Sequence, residues 1–95
     1  MRLVKVTPTD APHKYAAVFE TDAGRTRTVK FGAAGMDDYT ITHDKEQRDR
    51  YRKRHQKDLR TNDPTRAGYL SRFLLWGDST SMAENISAYR KRFDL

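Results

Sequence analysis

The residues best suited to acid–base or metal-assisted chemistry lie between positions 37 and 44. Three carboxylates and one imidazole stand close together there: Asp37, Asp38, His43 and Asp44. Such a set can hold Mg²⁺ or move a proton during phosphodiester cleavage. The same residue types also cap helices and order loops through their short side chains. We favour the capping interpretation, so we assign no catalytic residue and do not expect an enzyme.

The three histidines offer little prospect of a metal site. His43 and His55 are twelve residues apart, and on one helix they would point about 120° away from each other, too far to share an ion. His13 falls in a distant loop. The chain has no cysteine, which removes thiolate ligands and disulfides and fits a reducing compartment. We therefore expect no metal and no other cofactor.

The strongest functional signal is the charge of residues 43–60. This stretch holds eight Lys or Arg against four Asp or Glu, and so supplies +4 of the net +6. No proline, glycine or β-branched residue interrupts it, which predicts one helix with Thr42 or Asp44 as its cap. Tyr51 and Leu59 form an apolar stripe on that helix. Five cations gather on about a third of the circumference, and we call them the basic arc: Arg50, Lys53, Arg54, Lys57 and Arg60.

The basic arc predicts a polyanionic partner. Each phosphate that a cation neutralises releases counterions, so binding would weaken steeply with salt. No base-reading motif is present, which favours nucleic-acid binding without sequence preference. The alternative is a solvated helix face held by internal ion pairs. Glu46 with Arg50 and Asp49 with Lys53 stand at the favourable spacing of four residues for such pairs.

Size and composition are those of one small folded domain spanning residues 1–95. Hydrophobic residues make up 36% and charged residues 34%, so the core should be thin, but 11% aromatic residues is more than disordered segments carry. A pI near 9.8 predicts attraction to anionic partners without selecting among them. No apolar run reaches about 18 residues and no signal-type segment is present. We expect a soluble protein with no membrane partner.

The elements that position these residues fall into two halves, and the fold class is predicted to be α+β. Residues 1–35 should form a three-stranded antiparallel meander, with strands at 2–6, 14–21 and 25–31 and Gly24 in the second turn. On the middle strand, Tyr15 and Phe19 should face the core. Residues 36–95 should form three helices that cover one face of the sheet.

The first of the three helices is the basic stretch, and the other two should supply the core. The second runs from an Asp63 cap and Pro64 to about Trp76. Its aromatic residues could stack on bases, but their spacing is more typical of a core, and we assign Tyr69, Phe73 and Trp76 to the core. Arg72 should either snorkel or pair with Asp37 or Asp38. A capping box from Ser81 to Glu84 begins the third helix, whose apolar stripe is Met82, Ile86, Tyr89 and Phe93.

An ordered series of short motifs over residues 14–94 resembles a known family. The motifs are Val29-Lys30-Phe31-Gly32, Asp38-Tyr39-Thr40, His43-Asp44-Lys45, Arg48, Tyr51, Arg54-His55, Asp63-Pro64, Ala67-Gly68, Leu70-Ser71-Arg72, Leu75-Trp76 and Lys91-Arg92-Phe93. The series is similar to small basic proteins of unassigned function encoded by large double-stranded DNA viruses of amoebae and algae. Arg60 and Thr61 depart from the family pattern, which has an aromatic residue just before the Asn-Asp-Pro turn.

The resemblance implies a setting more than a chemistry. It implies a viral protein made in the cytoplasm or nucleus of an infected cell and carried in the virion, with DNA a better candidate than RNA and genome organisation or packaging as the role. A scaffold role fits the same setting as an alternative. That role predicts self-association into a homo-oligomer, or contact with viral structural proteins, through an exposed apolar patch around Met82, Ile86 or Tyr15.

Overall fold

The sheet forms because alternate residues of its strands are apolar, and the helices then cover that face. A computed structural model describes residues 1–95. The strands are β1 (Arg2–Pro8), β2 (His13–Glu20) and β3 (Thr26–Ala33), and they lie in the order β1-β2-β3. The helices are α1 (Tyr39–Thr42), α2 (Lys45–Arg54), a 3₁₀ helix (Gln56–Thr61), α3 (Ala67–Leu70), a π-helical segment (Ser71–Leu75) and α4 (Met82–Phe93). The predicted α+β class and meander are confirmed.

Strand β2 is the centre of the sheet and pairs antiparallel with both neighbours. Tyr15 lies opposite Phe31 in the β2–β3 register, so the predicted core face of the two strands is continuous. Phe19 and Phe31 are fully buried on it. Gly24 adopts a φ of 80° in the turn between the strands, a conformation that costs glycine little. The predicted hairpin is therefore confirmed.

The core lies between the sheet and the helical segment made by α3 and the π-helical segment. Leu70 and Leu74 of that segment have no exposed surface, and Tyr89 of α4 is almost as deeply buried. Tyr69 and Trp76 are buried, as predicted. Phe73 is only half-buried and packs at the edge of the core.

The start of the helix predicted in residues 43–60 agrees with Asp44 as its cap, but its predicted C-terminal end is wrong. Helix α2 begins after Asp44, because His43 has a φ of 56°, and it ends at Arg54. His55 leaves the helical conformation at φ −104° and ψ 14°, and the chain then tightens into the 3₁₀ helix. A tertiary contact to this 3₁₀ helix is the hydrogen bond from the Tyr69 hydroxyl to the carbonyl oxygen of Leu59, 2.8 Å long. Residue propensities alone cannot register that contact.

The helix that was predicted to start at Pro64 starts three residues later, at Ala67. Asp63 caps a turn and not a helix, because its carboxylate accepts hydrogen bonds from the backbone and hydroxyl of Thr65 at 2.9 and 2.6 Å. The helix starts only at Ala67. Near its end the Trp76 N–H donates to the carbonyl of Ser71, five residues back, at 3.0 Å. That bond is the signature of a π-helical turn.

Helix α4 closes the fold against β1. Its start matches half of the predicted capping box: the Ser81 hydroxyl accepts from the Glu84 N–H at 3.3 Å, while the Glu84 carboxylate turns to Ser79. At its far end the Arg90 guanidinium donates to the carbonyl oxygens of Leu3 and Val4 at 3.1 and 3.0 Å. The last helix is therefore tied to the first strand.

Candidate functional site

The basic arc is exposed along its whole length. Three of its cations lie on α2, and Lys57 and Arg60 lie on the 3₁₀ helix. The sequence predicted that the basic arc forms one continuous stripe on a single helix. It does not, because the 3₁₀ helix winds at three residues per turn. None of the five cations has a carboxylate within 4.0 Å, and Asp49 pairs with Arg48 at 3.2 Å. The two ion pairs of the alternative interpretation, Glu46–Arg50 and Asp49–Lys53, are not formed.

A stack of three rings fixes α2 to the core. Tyr51 lies between Trp76, at 4.4 Å between ring centroids and 9° between planes, and His55, at 4.2 Å and 22°. Such parallel arrangements stabilise by about 1 kcal/mol beyond the burial of their area. Burial raises the pKa of Tyr51. The predicted Tyr51 stripe is thus the inner face of α2, and it leaves the basic arc pointing away from the core.

A cleft of about 520 Å³ lies beside the stack, between α2 and the end of β3. Lys14, Arg54 and Asp37 are its charged lining residues, and the Tyr51–His55 side of the stack forms part of its wall. The His55 side chain is 41% exposed, and its Nδ1 lies 3.1 Å from an Asp58 carboxylate oxygen. Sequence reasoning missed this cleft, because Lys14 reaches it only through the folding of the sheet onto α2.

The carboxylates around residue 40 serve as caps. Asp38 is buried, and its Oδ1 accepts from the Thr40 N–H at 2.9 Å while its Oδ2 accepts from the Lys14 ammonium at 2.6 Å. Asp44 accepts from the first backbone N–H groups of α2. The capping interpretation is confirmed for both residues. The predicted pairing of Arg72 with Asp37 or Asp38 is wrong, because Lys14 is the partner of Asp38 and no ion pair joins Arg72 to either residue.

The structure contains no group of three His, Asp or Glu side chains arranged to hold a metal ion. No helix combines the length and the apolar content needed to cross a bilayer.

A second basic group lies on the other flank of the Tyr51 stripe, and we call it the arginine cluster: Arg48, Arg52, Arg72 and Arg92. The Arg52 guanidinium donates to the Trp76 carbonyl and to Asp78, both at 2.9 Å. The hydrogen bond from Arg52 to the Asp78 carboxylate lowers the pKa of Asp78. Burial, followed by the charge of Arg52, lowers the pKa of Arg72 to about 10. The spacing of Arg48 and Arg52 on one helix is readable in the sequence, whereas the approach of Arg72 and Arg92 is not.

The apolar patch expected for a scaffold is absent at the predicted place. Met82, Ile86 and Tyr15 are half-buried and pack against the core. The large apolar side chains that do face solvent are Met1, Met36 and Ile41.

Comparison with known proteins places the chain in a family. No curated protein and no solved structure matches it significantly. The family described as "Family of unknown function (DUF5754)" matches residues 4–55, from β1 to the residue that follows α2. The matched part contains the meander and the α2 portion of the basic arc, and it ends before Lys57. Because the match covers more than half of its 95 residues, the chain belongs to this family of unknown function, DUF5754.

Proposed function

We propose that the protein binds nucleic acid without sequence preference, with duplex DNA as the favoured ligand and the basic arc as the contact surface. The observation that carries the proposal is that all five cations are exposed and that none has an ion-pair partner. An exposed, unpaired cation is free to neutralise a phosphate and release its counterions. Internal ion pairing would have competed with that contact.

The dimensions of α2 suit such a contact. Its ten residues rise about 15 Å, while duplex DNA carries one phosphate charge per about 1.7 Å of its axis. Several phosphates therefore lie within reach of the arc at once. The stack of Tyr51 on Trp76 fixes the orientation of α2. Binding therefore loses less conformational entropy than it would if the cations lay on a mobile segment.

The biological role that we propose is genome organisation or packaging by a viral protein, in an infected cell and in the particle. This part of the proposal rests on the resemblance to small basic proteins of large DNA viruses. Binding without base recognition suits that role, because a packaging protein must cover many different sequences.

The test is the salt dependence of binding to a fluorescent duplex. Five phosphate contacts give a slope of log affinity against log salt of about −4.5, which is roughly a 500-fold loss between 50 and 200 mM salt. Replacing four cations of the arc, Arg50, Lys53, Arg54 and Lys57, with Ala should reduce the slope to about −0.9. Circular dichroism should stay unchanged, because all four side chains are exposed.

The matched control removes four exposed cations from other faces: Lys5, Arg25, Lys30 and Lys91. It has the same net charge as the arc variant, so it should keep most of the wild-type slope. Wild-type protein that fails to bind the duplex at low salt contradicts the proposal. Equal losses in the two variants contradict the assignment to the basic arc. The same titration with single-stranded DNA and with RNA ranks the ligands.

A scaffold function is the second candidate, and the exposure of Met36 and Ile41 favours it. Their exposed fractions are 64% and 59%, and both residues lie in the segment that joins the sheet to α2. Pairing through this segment would bring two copies together, or one copy and a viral structural protein. Sedimentation should then show an oligomer that is insensitive to salt and that is lost in Ile41→Ser. A monomer at every concentration excludes self-association.

A further inference from the structure

Arg72 carries a positive charge that the fold does not neutralise. Its side chain is half-buried on the π-helical segment, yet it takes part in no hydrogen bond or ion pair within the chain. The Asp78 carboxylate attracts it, but three other guanidiniums act on it from nearby. A guanidinium has five N–H donors, and because no buried side-chain nitrogen lacks a partner, those of Arg72 face solvent. The donors of Arg72 therefore remain available to a ligand.

The ring of Phe73 holds two of these guanidiniums in place. The Arg72 guanidinium carbon lies 4.6 Å from the ring centroid and that of Arg92 lies 5.0 Å from it. A cation over an aromatic face is stabilised without using its hydrogen-bond donors. The π-helical turn, a feature frequent at functional sites, carries Phe73 and Arg72 on the segment whose Leu74 is fully buried. Both cations therefore contact the same ring, and neither has an ion-pair partner.

A cavity of about 160 Å³ opens between Arg72 and Arg92. A cavity of about 150 Å³ is large enough for a benzene ring, so a phosphate group with a few waters fits. Asn85 and Gly77 form part of its wall, and Asp78 lies at its side. Arg72 also lines the next depression, together with Arg52 and Lys53. Arg72 therefore borders both the cavity and a depression that reaches the basic arc at Lys53.

We propose that the cavity between Arg72 and Arg92 is a binding site for one phosphate group. The two guanidiniums donate hydrogen bonds to the phosphate oxygens, and Asp78 serves as an internal counter-ion that holds Arg52 and competes weakly with the ligand. The phosphate is either a backbone phosphodiester of bound nucleic acid or a free or terminal phosphate. The first source rests on the proposed function. The second does not.

The site is tested by titrating the full chain with inorganic phosphate while following the Nε–Hε signals of the arginines by NMR. Sodium chloride at matched ionic strength is the reference. The signals of Arg72 and Arg92 should shift together and saturate at one phosphate per chain. Arg72→Met and Arg92→Met should each weaken binding roughly tenfold to a hundredfold, as expected for the loss of a charged hydrogen-bonding partner. Arg50→Met, the same change on the basic arc, should stay within about twofold of wild type.

Asp78→Asn separates a ligand site from a structural arginine. Removing the competing carboxylate should tighten phosphate binding severalfold, whereas a purely structural cluster would gain nothing. Arg92 is exposed, so its variant keeps the test valid even where Arg72→Met unfolds. Shifts that chloride reproduces without saturation overturn the proposal. So does phosphate affinity that is unchanged in both arginine variants.

The source of the phosphate is settled by competition with an oligonucleotide that has no terminal phosphate. Displacement of inorganic phosphate by the oligonucleotide assigns the cavity to the nucleic-acid backbone. Saturable phosphate binding without displacement assigns it to a free or terminal phosphate. Duplex binding that depends on the arc but not on Arg72, with no saturable phosphate site, leaves the proposed function standing and removes this site. Saturable phosphate binding without any duplex binding does the reverse.

Discussion

Replacing Asp38 with Ala should be among the most destabilising changes of a charged residue in this protein. The Asp38 side chain is 2% exposed and that of its partner Lys14 is 12% exposed. One carboxylate accepts hydrogen bonds from the Lys14 ammonium at 2.6 Å and from the Thr40 N–H at 2.9 Å. It thereby ties β2 to the first turn of α1. The substitution removes a buried charge and a helix cap together.

The magnitude follows from the burial of the pair. Removing one partner of a buried ion pair costs about 3–5 kcal/mol, because the remaining charge is left without compensation. The lost cap of α1 adds about 1 kcal/mol in isolation, although two effects that share one carboxylate do not sum fully. Lys14 borders the cleft and can recover some hydration there. We expect a loss of about 3–4 kcal/mol, a large part of the stability of a domain of this size, which is on the order of 5–14 kcal/mol.

Urea unfolding measures the loss, followed by the fluorescence of the single, buried Trp76. The control is Lys14→Met in the Asp38→Ala background, where no charge is left unpaired. This double variant should be no less stable than Asp38→Ala alone, and the coupling between the two sites should exceed about 1 kcal/mol. Asp38→Asn keeps an acceptor for the Thr40 N–H and should lose less than Asp38→Ala. A loss under about 1 kcal/mol for Asp38→Ala refutes the argument.

Two further predictions concern the helical half. Gly77→Ala should cost about 3 kcal/mol in unfolding free energy, the upper end of the usual range for overpacking, because the added Cβ would overlap the Phe73 carbonyl oxygen and lie 2.8 Å from the Asn85 amide oxygen. Hydrogen bonds from Thr65 lower the pKa of Asp63 in the folded state. The ionised carboxylate therefore stabilises the fold above its unfolded pKa of about 3.8. This stabilisation is lost as the pH falls through the lower pKa of the folded state. Thr65→Val should raise that pKa by NMR titration and flatten the loss of stability below pH 3.8.

Each of these two has its own control. Gly24→Ala places its Cβ in open space at a φ of 80°, so only backbone strain of about 1–2 kcal/mol should appear. Similar losses at Gly24 and Gly77 contradict the steric argument. An unchanged pKa of Asp63 in Thr65→Val contradicts the hydrogen-bond assignment.

The sheet was readable from the sequence because its pattern is local. Alternation around Tyr15 and Phe19 predicts the face, and Gly24 predicts the turn, since strand periodicity and turn chemistry act over a few residues. Both predictions agree with the register of β2 and β3. The degree of burial was less predictable. Tyr15 is only half-buried, because the sequence does not determine how far the helices extend over the sheet.

The helix predicted over residues 43–60 could not be fully predicted from the sequence, because tertiary contacts decide where it ends. Residues 43–60 have helical propensity throughout, yet the ring stack on Trp76 and the hydrogen bond from Tyr69 to Leu59 select a 3₁₀ helix after His55. The same limit applies to the sites. The basic arc is contiguous in sequence and could be predicted, whereas Arg72 and Arg92 meet only through the packing of α4 on the π-helical segment.

The hydrogen bond from the Arg90 guanidinium to the Leu3 carbonyl oxygen has a consequence for folding kinetics. It joins residues 87 positions apart, and the Leu3 N–H also donates to the Leu95 carbonyl at 3.0 Å. Contacts of such long sequence separation form slowly, because the chain must close a large loop before it gains them. During synthesis β1 must wait for α4 to leave the ribosome. Until then the part of its outer edge at Leu3 and Val4 has no partner, and an open strand edge of this kind is able to pair with another chain.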